Sequence, residues 1–458
     1  MKKKLLALML IGSLLLSACG GGNDTEGTST NNQDTNTQST EVDNSGESDT
    51  SSVNNSSSDE KVTIKLMHRF PDEPYQGFIN KVCEQYMADN PNVIIEQTSA
   101  ETGPYKERLT VLMSNDDEAP DVFFGFTGEY LNQFIREGKV LSLSKYWDED
   151  KEWADSYIPS MMPSFYIDND LYGVPFRVSV KMFFYNPTIF EEVGVQPPET
   201  WAELLDVCQK ISDAGYIPIG EGDSDQWPGT HYSAILNARC VPDEVRAVDY
   251  KPETGEWTDP GYVEAMERFK ELIPYFSPNV TGQKHEMGRQ QFAMGQAAMM
   301  FAESVEIPYV AMAMEGGEEI DYGMFKFPVI EGAKGNQETI LGAPEGFSVS
   351  SATKHPEIAV DFLKYLCGQE VGKQEVEDVQ WFNGCKDTVD PSNADQKLVD
   401  CYEVITSAET VANWMDNEIH AELRTVYYED TQTFLNGDMT PEEFVKKLQD
   451  TAAKVKTQ

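Results

Sequence analysis

Histidine and basic residues are scarce in this chain of 458 residues. It contains 5 His and 35 Lys and Arg against 78 Asp and Glu, which gives a formal net charge of −43. Such an acidic chain repels phosphate groups, so the composition argues against nucleic-acid binding and against docking on anionic lipid through a basic face. Acidic residues at this density are typical of a solvated surface and indicate no particular ligand.

The sequence also lacks the common motifs of catalysis and metal binding. It has no Walker loop, no Gly-x-Gly-x-x-Gly and no Gly-x-Ser-x-Gly. His285 and Glu286 begin a zinc-like pattern, but Arg289 stands where the second histidine would be. No pair of carboxylates is marked by its context as the acid and nucleophile of a glycosidase. We therefore predict a protein that is not an enzyme and that uses no metal and no cofactor.

Long apolar runs are missing beyond Leu16, and a membrane-spanning helix needs about 20 such residues. The one apolar stretch, 5–16, follows three lysines and precedes Leu-Ser-Ala-Cys, as in a secretory signal peptide. The ending at Cys19 resembles the lipobox of bacterial lipoproteins. That resemblance implies a signal peptide over 1–18 and a lipidated Cys19. It also implies attachment to the extracellular face of the cell membrane by the lipid alone, in the Gram-positive manner.

Residues 19–60 follow the cleavage site and contain no Lys, no Arg and no aromatic side chain. This composition cannot bury enough apolar surface to offset the entropy of folding, so it predicts a disordered acidic linker. The remaining chain, with 40% hydrophobic and 11% aromatic residues in the whole sequence, suits a globular body of two domains.

Seven cysteines are present, and none forms a Cys-x-x-Cys pair, which argues against a zinc knuckle or a thioredoxin-type site. Apart from Cys19, six remain, and their spacing favours no disulfide pairing. Cys208 and Cys367 fall within amphipathic helix patterns, where buried free thiols are typical. The redox state of the six stays open.

The folded body begins with an alternation of strand and helix patterns. Strands are predicted at 62–66, 93–96 and 121–126, with helices over 75–88 and 105–113 between them. This order is typical of a parallel α/β sheet, in which ligands lie beyond the carboxyl ends of the strands. Capping boxes at Thr200 and Thr440 predict two further helix starts.

Several segments, in the right order, resemble the bacterial extracellular solute-binding proteins (family 1, carbohydrate type) of ABC transporters. The resemblance is carried by residues 172–187, 198–204, 292–299, 327–328, 345–350 and 435–443. It implies a two-lobed α/β fold of the periplasmic-binding-protein kind (class II), with a hinge of several crossovers and the solute in the cleft. Mapped on this chain, lobe one takes 61–175 plus 323–368, and lobe two takes 176–322 plus 369–458.

A sugar offers apolar faces and a rim of hydroxyls, so its site needs aromatic rings and planar hydrogen-bonding groups. Polar, turn-rich surroundings favour Trp227, Trp381 and Trp414 as the aromatic contacts. The polar and remaining candidates follow predicted strands or the crossover: His68, Arg69, Phe70, Glu129, Arg177 and Glu345. After Met299 the family often has Gly-Trp, whereas this chain has Phe301 to Val305, and Glu303 there indicates a more polar subsite.

The sequence thus predicts a monomeric lipoprotein that captures a sugar or oligosaccharide and delivers it to an ABC permease. One alternative is the same fold with a non-sugar solute, such as a polyol phosphate or a peptide. Arg69 and Arg177, the only two arginines predicted in the cleft, argue against an anionic solute. The other alternative is a lipid-anchored glycoside hydrolase.

Overall fold

A computed structural model describes residues 61–313 and 321–457. The predicted signal peptide, Cys19 and the linker over 19–60 lie outside the described residues. Within the described ranges, no helix has the length and apolar character needed to cross a membrane.

The described chain contains eleven strands and eighteen α-helices. The strands are Val62–His68 (β1), Val93–Ser99 (β2), Val122–Phe126 (β3), Tyr166–Ile167 (β4), Asp170–Leu171 (β5), Val174–Tyr185 (β6), Ile217–Ile219 (β7), Ala297–Glu303 (β8), Gly323–Phe325 (β9), Ile340–Val349 (β10) and Val411–Ala412 (β11). The helices are Tyr75–Asp89 (α1), Thr102–Met113 (α2), Glu129–Arg136 (α3), Ser144–Glu149 (α4), Lys151–Asp155 (α5), Pro187–Val193 (α6), Trp201–Asp213 (α7), Trp227–Cys240 (α8), Asp243–Asp249 (α9), Gly261–Leu272 (α10), His285–Ala293 (α11), Ile307–Ala313 (α12), Pro356–Leu366 (α13), Gln369–Val379 (α14), Gln396–Ser407 (α15), Met415–Glu418 (α16), Ala421–Leu435 (α17) and Pro441–Val455 (α18).

The first five elements form the parallel unit that the sequence predicts. β1 pairs with β2 in parallel from Val62 opposite Val93 to His68 opposite Ser99, and β3 pairs in parallel with the other side of β1. Helix α2 begins at Thr102, three residues before the predicted start, because proline is tolerated within the first turn of a helix.

Two long strands, β10 and β6, lie in the middle of the main sheet, between a parallel group at one edge (β1, β2 and β3) and a parallel pair at the other (β7 and β8). The strand order is β2-β1-β3-β10-β6-β8-β7, and both β10 and β6 run antiparallel to their neighbours in this order. The short β11 pairs with β10 in parallel. The first part of β6 pairs with β10, whereas its last part pairs with β8 and β9. β6 lies within the stretch that resembles the family's crossover, so the chain crosses between the two halves of the fold here.

Two large hydrophobic cores lie on either side of these crossing strands. One core is built around β1–β3 and includes Ile64, Phe123 and Leu363. The other surrounds helices α7, α8, α10 and α18 and includes Ile235 and Phe269. The fold is therefore two-lobed, as predicted. The lobe boundaries stay a prediction; Val371, Trp381 and Cys385, in the stretch mapped to lobe two, pack in the first core.

Local signals fix the helix ends that the sequence marks. The side chains of Thr200 and Thr440 each accept a hydrogen bond from the third residue of the helix, and the Glu203 and Glu443 side chains accept one in return. Both predicted capping boxes are thus confirmed. All six cysteines of the described chain are buried free thiols, including Cys208 in α7 and Cys367 at the end of α13.

Candidate ligand-binding cleft

A cavity of about 470 Å³ lies at the carboxyl ends of β1 and β2, beside the crossing strands β6 and β10. Eight of the ten predicted ligand contacts line it: Arg69, Phe70, Arg177, Trp227, Glu303, Glu345, Trp381 and Trp414. These residues are spread over most of the chain, and the fold brings them to one place. The cavity thus lies where the rule for open α/β sheets predicts a ligand, beyond the carboxyl ends of the strands.

His68 and Glu129 are not among the residues that line this cavity. His68 is buried beneath it at the end of β1, and burial lowers its pKa to about 4. Glu129, at the start of α3, accepts a hydrogen bond of 2.9 Å from Arg136 Nη1. Because neither side chain lines the cavity, we leave both out of the contact set that is proposed below.

Three aromatic residues form one wall of the cavity. The rings of Tyr75 and Trp381 are stacked, with centroids 3.5 Å apart and planes 14° apart, and Phe70 meets Trp381 edge-on at 5.3 Å. The Trp381 indole N–H donates a hydrogen bond of 3.2 Å to the carbonyl of Val305. Since Trp381 is only 2% exposed, it contributes packing as well as cavity surface.

A second aromatic group lines the cavity from α8 and the segment before α16. The His231 ring lies 4.4 Å from Trp414 and 4.9 Å from Trp227, measured between centroids. Burial, helped by the nearby Lys181, holds the pKa of His231 well below its usual value. A neutral imidazole therefore lies between the two indoles. Trp227 is half-buried and presents the most accessible indole of this group.

Two arginines lie between these walls on the crossing strand and after β1. Arg177 forms a buried ion pair with Glu345, its partner in the β6–β10 register, and its guanidinium carbon lies 5.0 Å from the Trp381 ring centroid. Arg69 donates a hydrogen bond of 2.9 Å to Thr102 Oγ1. Burial lowers the pKa of Arg69, and Arg177 lowers it further.

Glu303, predicted as a polar substitute for an aromatic contact, lies at the end of β8 and faces a buried cation. It accepts a hydrogen bond of 2.9 Å from Ser179 Oγ. Lys181 Nζ lies 2.9 Å from His231 Nδ1; burial lowers the lysine's pKa, and Glu303 opposes that effect. The surroundings of Glu303 are therefore polar, and its role as a ligand subsite stays a prediction.

A charged network at the start of α11 was not predicted. His285 lies between two carboxylates, with Nδ1 3.0 Å from Glu221 and Nε2 3.2 Å from Glu306. Burial alone would lower its pKa, but these carboxylates outweigh burial and raise it to about 9. Arg289 pairs with Glu306 and, together with His285, holds the pKa of that carboxyl well below its usual value. The zinc-like pattern that begins at His285 therefore supplies two ion-paired cations, His285 and Arg289.

Lys106 is another cavity residue that the sequence analysis did not predict, as is His231. Its Nζ donates hydrogen bonds of 3.1 Å to Asp416 and 2.8 Å to Asn417, more than 300 residues away in the chain. The Tyr428 hydroxyl also donates to Asp416, at 2.8 Å. A lysine on an amphipathic helix is normally predicted to be exposed to solvent, so the sequence around Lys106 does not indicate a buried contact. The one sequence feature that pointed to this region was the set of polar residues around Trp414.

The arrangement suits a polar, neutral or weakly charged solute with apolar faces. Aromatic surfaces lie on two walls, and planar carboxylates and guanidiniums lie between them. Across residues 61–313 and 321–457, no group of three or more His, Cys, Asp or Glu is placed to hold a metal ion. The buried cleft carboxylates Glu345, Glu306 and Asp416 are each paired with a cation.

A two-lobed α/β fold with antiparallel crossing strands and a cleft of this kind defines a solute-binding protein. The family comparison makes this specific: residues 71–373 match the model for the bacterial extracellular solute-binding proteins, and the chain belongs to that family. The family consists of binding proteins rather than enzymes, which confirms the predicted non-enzymatic role.

Known proteins across this family resemble the chain over most of its length. An ABC transporter extracellular-binding protein of Pyrococcus horikoshii is 22% identical over 384 residues, 80% of this chain and 80% of the relative. The multiple sugar-binding protein of Streptococcus mutans is 22% identical over 318 residues, 68% and 72% of the two chains. A solved chitin oligosaccharide binding protein has a TM-score of 0.77 at 24% identity, over 87% of this chain and 100% of its own.

Proposed function

We propose that this protein captures a sugar or oligosaccharide in the cleft and delivers it to the permease of an ABC importer. The observation that carries the proposal is the pair of aromatic walls, Tyr75 with Trp381 and Trp227 with Trp414, that flank buried guanidinium and carboxylate groups. Aromatic rings fit the C–H faces of a sugar, and planar charged groups fit its hydroxyl rim. The sugar-binding names of relatives and structural neighbours support the same substrate class.

The contact set that we propose consists of the eight predicted residues that line the cavity, joined by Lys106, His231, His285 and Arg289. Binding would close the lobes around the solute, and the permease would recognise the closed form. We also propose that the protein acts as a monomer, is lipidated at Cys19 and stays at the extracellular face of the membrane; family membership supports the extracellular location.

A thermal-shift screen of the purified chain against mono- and oligosaccharides tests the proposal. At a hundredfold excess over the dissociation constant, a bound ligand stabilises the folded protein by about 2.7 kcal/mol and raises Tm by several degrees. We expect such a rise with one group of related sugars, and the sugar should be recovered unchanged. A shift with a peptide or polyol phosphate instead would support the non-sugar alternative, and hydrolysis of the sugar would refute a binding role.

A further inference from the structure

We propose that the sugar bound in this cleft carries one carboxylate, as a hexuronic acid unit does, and that Arg69 binds this carboxylate. The inference rests on the proposed function and narrows the substrate class of the same site. It comes from the balance of charges on the cavity wall, which the sequence does not reveal.

Apart from the exposed Lys284, the other cations that line the cavity have carboxylate partners. The ion pairs are Lys106 with Asp416, Arg177 with Glu345, and Arg289 with Glu306. In addition, His285 lies between two carboxylates, as described above. These cations are therefore compensated before any ligand arrives.

Arg69 differs from this pattern. Among the residues that the structure describes it forms no ion pair, and its one hydrogen bond goes to the neutral hydroxyl of Thr102. Its Nε is buried without an acceptor. A guanidinium has five N–H donors in a planar fork, so Arg69 keeps free donors at the cavity wall. The carboxylates of Glu345 and Glu303 act on its charge only through space, without a direct ion pair. Arg69 is half-buried, so leaving its guanidinium without a charged partner costs free energy that a bound anion would recover.

A carboxylate satisfies this position better than a hydroxyl does. The guanidinium carbons of Arg69 and Arg177 lie 5.1 Å and 5.7 Å from the centroid of the same Phe70 ring, so two like charges share one small region. Glu345 pairs directly with Arg177, and among the described residues no carboxylate pairs directly with Arg69. A carboxylate can accept two parallel N–H bonds from one guanidinium and neutralise it, whereas a hydroxyl leaves the charge in place.

The charges around the cavity also limit the number of carboxylates on the ligand to one. The mouth of the cavity carries the exposed carboxylates Asp72, Glu101, Asp225 and Glu286, with Lys284 as the exposed cation among them. These groups, on a chain of net charge −43, disfavour a second negative charge. The shortage of arginines thus argues against a phosphate or a polyanion, while a single carboxylate needs only the one free arginine. Phe70 beside it offers an apolar face to the sugar ring.

Calorimetric titration of the purified full chain tests the inference with matched ligands. D-glucuronate, D-galacturonate and an aldobiouronic acid are each compared with the neutral sugar that differs only by the carboxylate. We expect each acidic sugar to bind more tightly than its neutral partner. In the Arg69→Gln variant this preference should fall by about tenfold or more, since a hydrogen bond to a charged group contributes about 1.5–3 kcal/mol. Arg108→Gln, an equal charge change at an exposed position of α2, should keep the preference.

The comparison of acidic with neutral sugars in the wild type tests the inference even if Arg69→Gln folds poorly. Equal or tighter binding of the neutral sugars by the wild type would overturn the inference and leave the proposed function standing. Loss of preference in Arg108→Gln as well would also overturn it, because the effect would then come from net charge. Tighter binding of digalacturonate than of the aldobiouronic acid would overturn the limit of one carboxylate. Binding of no sugar of either kind would instead refute the proposed function.

Discussion

The imidazole of His231 lies face to face with the indole of Trp414, with ring centroids 4.4 Å apart and planes 18° apart. Trp227 contacts the same imidazole at 4.9 Å. The two tryptophans differ in exposure, because Trp414 is 3% exposed and Trp227 is half-buried. We infer that Trp414 supports the wall of the cleft and that Trp227 supplies the free surface on which a sugar ring would stack.

Replacing Trp227 with alanine should weaken sugar binding about tenfold and change Tm little, because an aromatic contact contributes about 0.5–1.5 kcal/mol beyond its buried area. Trp414→Ala should lower both affinity and stability, the latter by about 3–5 kcal/mol. Calorimetry and urea unfolding measure the two effects separately. The control is Trp147→Ala, since Trp147 packs on Trp153 and Tyr157 away from the cavity. Unchanged affinity in Trp227→Ala would exclude this indole from the site.

Breaking the ion pair between Arg177 and Glu345 should destabilise the crossing strands. Arg177→Met leaves the Glu345 carboxylate buried without its partner, at a cost of about 3–5 kcal/mol. The double variant Arg177→Met, Glu345→Leu removes both charges and should recover much of that loss. Urea unfolding of the two single variants and the double variant gives the coupling energy. Additive losses would show that the two side chains do not stabilise each other.

Stability should decrease as the pH rises from about 6.5 to 9, because of His285. Its pKa is raised to about 9 in the folded protein, so its contribution is complete below the unfolded value of 6.5 and is lost as the pH passes through 9. Two groups around it keep their charges over this range, because the pKa of Glu306 is lowered and that of Arg289 is raised. The loss between pH 7 and 9 should be about 2 kcal/mol by urea unfolding. His285→Gln should remove this slope, and an equally steep slope in that variant would refute the assignment.

Replacing Cys19 with serine should release the protein into the medium, since the proposed lipid is its only membrane attachment. Fractionation of cells that express the wild type and Cys19→Ser measures this directly. Cys83→Ser, which changes a buried thiol in α1, is the matched control and should remain with the membrane. Full retention of Cys19→Ser would contradict the lipid anchor.

Local patterns in the sequence predicted the elements that depend on near neighbours. The strand and helix signals over the first five elements are confirmed, because period-two and helical apolar patterns act within a few residues. The capping boxes at Thr200 and Thr440 are confirmed for the same reason, since each closes within four residues. The crossover between the lobes and the cleft between them were predicted from the family resemblance and not from the periodicity of the sequence.

Neighbouring residues at a strand end could not be separated in this way. His68, Arg69 and Phe70 are consecutive and were all predicted as contacts, yet only Arg69 and Phe70 line the cavity. Alternation along a strand does not separate them, because β1 ends at His68 and both Arg69 and Phe70 lie in the segment that follows it. Which of them line the cavity depends on elements such as the segment around Trp381, which lies more than 300 residues further along the chain.

The sequence by itself determined the acidic composition, the local elements and the resemblance to a solute-binding family, and it predicts the export signal. The tertiary structure alone decided which charges of the cleft are paired: Lys106 with Asp416 across 310 residues, Arg177 with Glu345 across 168, and Arg69 with neither a Glu nor an Asp of the described chain. Local structure arises from interactions between near neighbours. An ion pair requires two atoms within about 4 Å, whatever their separation in sequence, and only the folded chain brings them there.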